Sequence, residues 1–118
     1  SAASDVYKRQ ITRRVAKGGK YAHTSYKIVA SYGNIHLVDI RLHTGRTHQI
    51  RVHFSHIGFP LLGDDLYGGS LDDGIQRQAL HCHYLSFYHP FLEQDLQLES
   101  PLPDDFSNLI TQLSTNTL

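Results

Sequence analysis

Apolar residues recur along this chain with two periods, and the places where the period changes mark its parts. Residues 21–32 are rich in Tyr, Thr, Val and Ile, with Tyr26, Ile28 and Ala30 on one side, which predicts a strand. Gly33-Asn34 is a turn signal, and residues 34–43 then alternate Ile35, Leu37, Asp39 and Arg41 against His36, Val38, Ile40 and Leu42. Together the two runs predict an antiparallel hairpin. After Thr44-Gly45, Ile50, Phe54 and Ile57 fall at i, i+4 and i+7, the stripe of a short helix. Thr47 is its expected N-cap, and Gly58 with Pro60 its stop.

Downstream, Leu61-Leu62 allows a brief strand, and residues 67–74 read as a Gly-rich loop. Residues 79–87 place Leu80, Cys82 and Tyr84 on one side and His81, His83, Leu85 and Phe87 on the other. Neither side is plainly wet, so a strand central to its sheet is expected. Residues 92–98 predict a shorter strand, broken by Pro101 and Pro103. Asp104 then caps a helix whose Phe106, Leu109, Ile110 and Leu113 follow helical spacing, and residues 114–118 are expected to fray. Residues 11–20, basic and carrying Gly18-Gly19, read as a loop. The class is α+β: a mixed, mainly antiparallel sheet with short helices, and no internal repeat or second domain.

Length and charge sharpen this. At 118 residues the chain is one small domain. Its 11 basic and 11 acidic residues balance, but unevenly along the sequence. From Ile11 to Arg51 eight basic residues face Asp39 alone, whereas from Asp64 to Asp105 nine acids face Arg77 alone. A basic half that meets a polyanion is expected. Cys82 is the sole cysteine, so no internal disulfide forms, and no apolar run reaches a membrane span or a signal-peptide pattern. Cytoplasm is the expected compartment. The chain has no methionine, and residues 5–10, DVYKRQ, look like the translation of a transposon end. Residues 1–10 are therefore set aside as non-native, a genuine N-terminal tail being the alternative, leaving 11–113 as the folded part.

The chemistry concentrates at the turn into the first helix. Thr47, His48, Arg51 and Ser55 share a polar flank beside the apolar stripe. Arg51 sits at the edge of burial with a planar fork for carboxylate or phosphate. Arg46 precedes the helix, where free N–H groups already favour anions, so an anion site at a strand-to-helix junction is expected. Nine histidines raise a metal alternative through His48, His53 and His56, or through His81 and His83. No carboxylate or cysteine completes a ligand set at familiar spacing, and no metal is expected.

The run Thr44-Gly45-Arg46-Thr47-His48-Gln49-Ile50-Arg51-Val52-His53, with Gly58, Pro60, Gly63-Asp64 and Tyr67-Gly68, closely resembles the last motif of RluA/RluD-type RNA pseudouridine synthases. Gly19-Lys20, Ala22 and Thr24 upstream, and Leu80-His81 and His89-Pro90 downstream, extend the match over about residues 11–109. The resemblance implies isomerisation of uridine in structured RNA without metal or organic cofactor. Ribosomal RNA is the preferred substrate and transfer RNA the other candidate. It also implies that the nucleophilic Asp, which the family carries in a His-Arg-Leu-Asp-x-x-Thr-Ser-Gly motif, is absent here, since no such run occurs. The chain then corresponds to the C-terminal part of the catalytic domain, lacks its N-terminal half as a partner, and is inactive alone. On this resemblance Arg51 supports the nucleophile or is an ordinary surface arginine, Ile50 lines the base pocket or packs in the core, Arg46, His48 and Gln49 contact RNA or cap the helix and brace the turn, and Gly63-Asp64 and Tyr67-Gly68 form turns that support the pocket wall. Lys20 and Thr24 extend the basic surface or serve as ordinary strand positions. The alternative from another class is a noncatalytic RNA-binding module.

Overall fold

A computed structural model describes residues 9–14, 21–71 and 74–116. Three strands, β1 (Arg9–Arg14), β2 (Tyr21–Tyr32) and β3 (Ile35–Leu42), form an antiparallel sheet in sequence order. Helix α1 (Gln49–His56) follows, then a 3-10 turn at Asp65–Tyr67. Among the described residues, strands β4 (Tyr84–His89) and β5 (Gln94–Glu99) pair only with each other, and α2 (Asp104–Asn116) ends the order. The class is α+β as expected, and both sheets are antiparallel among the described residues.

The expected hairpin is present. Tyr32 pairs with Ile35 across Gly33-Asn34, and Gly33 sits at φ +67°, where a side chain would strain the backbone. Alternation on β2 breaks at Val29, which the pairing skips between Ile28 and Ala30, so the shared face proposed for Tyr26, Ile28 and Ala30 is interrupted by a bulge. On one side of the sheet Ala22 and Thr24 are fully covered, and Ile11 lies opposite Thr24. Helix α1 packs on this side, with the Phe54 ring edge-on to Tyr26 at 5.1 Å. The other side carries Tyr21, His23 and Lys27 with Arg41 and His43, and faces water.

Three expectations change. Residues 9–14 form a strand, not a loop, because β2 offers its second edge to them, from Arg9 opposite Tyr26 to Arg14 opposite Tyr21. This strand begins inside the segment set aside as non-native. The strand expected at 79–87 and central to a sheet lies instead at Tyr84–His89, in an isolated hairpin whose residues are nearly all exposed. Its apolar side chains on both faces find no second strand beyond β5 among the described residues, so Leu85, Phe87 and Tyr88 stay uncovered. Helix α2 runs to Asn116, into the stretch expected to fray, with Thr111, Ser114 and Thr115 hydroxyls bonding back one turn. Gly18-Gly19, Lys20 and residues 117–118 lie outside the described residues.

Covered apolar residues are few: Ile11, Ala22, Phe54, Ile75 and Leu109. Other apolar side chains line an open cavity of about 990 Å³ between β3, the Ile50, Phe54 and Ile57 stripe of α1, and the Phe106, Ile110 and Leu113 stripe of α2. The loop between α1 and β4 is closed tightly on itself. The Gly63 and Gly69 N–H groups donate to Ser70 and Asp64 carbonyls at 2.7 Å, and a Cβ on Gly63 would collide with the Arg77 carbonyl while one on Gly69 would collide with that of Leu61. Gly33 meets nothing within 4 Å. Gly63→Ala and Gly69→Ala should therefore each lower stability by about 2–3 kcal/mol, and Gly33→Ala by about 1 kcal/mol, in denaturant unfolding of the protein. Equal costs at the three positions would show that the loop opens without resistance.

Candidate functional site

The turn into α1 is organised by one side chain. Gln49 is 5% exposed, and its amide makes four hydrogen bonds. Its oxygen accepts from the Thr44 hydroxyl at 2.7 Å and from the Arg46 N–H at 3.0 Å. Its nitrogen donates to the His23 carbonyl at 3.0 Å and to Thr24 Oγ1 at 2.8 Å. An amide has two acceptor and two donor places, so nothing of this group is left for a ligand. Of the two roles weighed for Gln49, the geometry shows bracing of the turn. Thr24 also shares a 2.9 Å hydrogen bond with Nδ1 of buried His53, so it belongs to the interior rather than to a basic surface.

Thr47 is not the cap. The N-cap is His48, at φ 53° and ψ 28°, without a side-chain cap bond. Gln49 already takes the Arg46 N–H, which places the turn one residue later than spacing suggests. Left-handed backbone is costly for a side-chain-bearing residue. His48 is held there by contact with Tyr67, Nδ1 to the phenol oxygen at 3.0 Å and ring edge to face at 5.9 Å.

Arg51 is 14% exposed and meets an acid that this chain itself supplies. Nε and Nη2 donate to the two carboxylate oxygens of Asp64, each at 2.9 Å, and Asp64 is 1% exposed. The guanidinium carbon lies 4.9 Å from the centre of the Tyr67 ring. Hydrogen bonding to Asp64 raises the Arg51 pKa against the opposing pull of burial, with the nearby Asp64 charge and Tyr67 adding to it, so the cation is permanent. Ser55 donates to the Tyr67 carbonyl at 2.8 Å and fixes the 3-10 turn to the helix. Gly63-Asp64 and Tyr67-Gly68 were expected as turn-forming supports of the pocket wall. Their sequence signal was membership of the Gly63-Asp64 and Tyr67-Gly68 motif, while their pairing with Arg51 spans 13 residues of sequence that no local period reports.

Among the other expected residues, Arg46 is exposed and donates Nε to the Tyr21 carbonyl at 3.0 Å. Ile50 alone of the five lines the cavity; Gln49 faces β2, and Arg51 faces Asp64. The structure thus brings His48 and Arg51 together at Tyr67, ties Arg46 to the start of β2, and turns Ile50 to the cavity. No cluster of three or more His, Cys, Asp and Glu side chains suited to a metal occurs among the described residues. No described helix is long and apolar enough to cross a membrane.

This strand-turn-helix geometry has known counterparts. Residues 3–56 match the family model for RNA pseudouridylate synthase, a span that contains the whole 44–53 motif. Over 100 residues the chain is 46% identical to the uncharacterized RNA pseudouridine synthase YjbO of Bacillus subtilis (strain 168), covering 85% of this chain and 35% of that protein. It is 42% identical over 125 residues to ribosomal large subunit pseudouridine synthase D of Haemophilus ducreyi (strain 35000HP / ATCC 700724), covering 92% of this chain and 38% of that one. Human RNA Pseudouridylate Synthase Domain Containing 1 superposes with a TM-score of 0.63 over 92% of this chain and 58% of its own, and at 23% identity this shows a shared fold. The chain belongs to the RNA pseudouridine synthase family of the RluA/RluD type. It spans about a third of the length of the curated relatives it matches.

Two expectations follow. Arg51→Ala and Asp64→Ala should each lower the unfolding midpoint, and the double variant should cost less than the two singles added, because each single strands the other's charge. Strict additivity would mean that the pair contributes nothing jointly. The second concerns His43, whose pKa is pushed below 6.5 by burial, then by His23 and Arg41. Below about pH 6.5 the unfolded chain takes up this proton before the folded one, so stability falls as pH drops from 7 towards the folded pKa and this contribution then levels off. His43→Gln should flatten that part of a stability profile measured between pH 7 and 5.5; an unchanged slope would remove His43 as its source.

Proposed function

We propose that this chain is the C-terminal part, residues 11–113, of the catalytic domain of an RNA pseudouridine synthase acting on structured RNA in the cytoplasm, with large-subunit ribosomal RNA as the substrate. The reading is carried by the 46% identity over 100 residues to a named synthase together with the family match across the 44–53 turn and helix. The nucleophilic aspartate comes from a segment outside this sequence. The open cavity beside β3 and the uncovered Leu85, Phe87 and Tyr88 of β4 support this: they are the apolar surface that the rest of the domain would cover.

In the reaction the N1–C1′ bond of uridine breaks, the detached uracil turns, and C5 bonds to C1′. The C5 proton leaves and N1 gains one, so the product is an isomer. A uridine in folded RNA reaches a carboxylate only when flipped out of its stack, at a cost of a few kcal/mol that backbone contacts must offset. Arg51 supplies a fixed cation for the incoming carboxylate. Asp64 holds two of its nitrogens and Tyr67 covers its face, so the guanidinium plane is set before substrate arrives, with Nη1 left for the nucleophile. Arg46 and His48, on the same flank, contact the backbone of the flipped nucleotide, and Ile50 belongs to the apolar wall on the other flank. No metal or organic cofactor takes part.

The test is tritium release from 5-tritiated uridine in transcribed ribosomal RNA. The intact protein should release it, Arg51→Ala should slow release by about a hundredfold or more at unchanged fold, and this chain alone should release none. Release by the chain alone would overturn the absent nucleophile. An intact protein inert on ribosomal and transfer RNA would overturn the activity and leave a noncatalytic RNA binder.

A further inference from the structure

The solvent side of the β1-β2-β3 sheet carries an arrangement that neither folding nor the anchoring of Arg51 requires. The His23 and His43 rings, on neighbouring strands, stack with centroids 4.0 Å apart and planes 16° from parallel. His43 is fixed from within the native part, its Nε2 bonding to Ser25 Oγ at 2.6 Å, whereas the 2.7 Å contact of His23 Nε2 is to Gln10 Oε1, in the segment set aside, and is not counted on in the intact protein. Tyr21 continues the row, its ring 6.3 Å from that of His23 and the residue 49% exposed. The stacked pair covers its own inner faces, so what the row offers a ligand is the outer face of exposed His43 and the ring of Tyr21. Arg41 and Arg46 are exposed beside it, while Asp39, the one acid on these strands, is bridged by Lys27 at 3.8 Å and approached by His83 Nε2 at 3.4 Å.

Fixed aromatic faces flanked by cations are how proteins hold single-stranded nucleic acid: bases stack on rings of any kind and phosphates pair with the flanking charges. The row is also continuous with the candidate site, because Arg46 bonds to the carbonyl of Tyr21 and Thr44 Oγ1 accepts from the His23 N–H. The geometry points to an RNA platform formed by Tyr21, His23 and His43 with Arg41 and Arg46, which receives the single strand flanking the nucleotide at Arg51. This rests on the isomerase reading and extends it from the flipped uridine to its unpaired neighbours. A protein partner would want the reverse surface, apolar and low in charge, as along the Ile50, Phe54 and Ile57 stripe of α1 and the Phe106, Ile110 and Leu113 stripe of α2.

The probe is a fluorescein-labelled 12-nucleotide oligouridylate, titrated by anisotropy against the intact protein over a range of salt. His23→Ala with His43→Ala should weaken binding about tenfold, the loss of one stacked base. Tyr21→Ser with Arg41→Gln, at exposed positions that leave the His pair in place, should weaken it similarly and lower the slope of log affinity against log salt by about one. Arg77→Gln, which removes an equal charge beside α2, should bind like the parent. Both platform variants binding like the parent, with the parent's salt slope, would overturn the platform. So would an intact protein that isomerises uridine but has no affinity for the oligomer, and there the isomerase reading stands. Absence of both binding and isomerisation would overturn the two together.

Discussion

The amide of Gln49 is the constraint on which the rest of this structure turns. Buried and fully engaged, it joins the turn after β3, the first residue of α1 and the early part of β2 in one hydrogen-bonded unit. Leaving any one of those groups unmatched in the interior costs about 1–3 kcal/mol, more than a typical bond gains, so the arrangement is held by what it would cost to break. The His53 and Thr24 contact adds a second polar tie one turn along the helix. Helix α1 is thus seated on the sheet by polar groups at its start and by Phe54 further on. This fixes its rotation more narrowly than apolar packing alone, since hydrogen bonds are directional and apolar contact is not.

That rotation decides the chemistry. With α1 set, one flank turns Ile50 and Ile57 to the cavity and the other turns Arg51 to Asp64 and Tyr67. The loop bearing Asp64 can come so close only because Gly63 and Gly69 let backbone meet backbone. The cation is held by a carboxylate from the acidic half of the sequence, so the charge asymmetry along the chain closes on itself at this point. The basic character that remains for a polyanion lies elsewhere, at Arg46 and on the open face of the sheet.

Much of this was legible in the sequence wherever cause and effect are near each other along the chain. The hairpin followed from alternation and Gly33-Asn34, α1 from Ile50, Phe54 and Ile57, and α2 from Phe106, Leu109, Ile110 and Leu113. Illegible features were those decided by distant partners. Strand β1 exists because β2 has an edge to offer. The cap moved from Thr47 to His48 because Gln49 is claimed by His23 and Thr24, some 25 residues away in sequence. Arg51 stood out as a half-covered cation, but its partner did not, because Asp64 reads locally as a turn residue. The expected central strand failed for a related reason: apolar side chains on both faces report a wish for cover, and no described strand other than β5 provides it.

The two-residue link between β2 and β3 also bears on how the molecule acquires its shape. Contacts between residues close along the chain form quickly, since little loop entropy is lost in bringing them together. This hairpin is therefore a natural nucleus, available once its own about two dozen residues have left the ribosome. Helix α1 follows it directly in the sequence and docks on its covered face. This functional corner can thus assemble ahead of the acidic stretch that later supplies the counter-ion to Arg51.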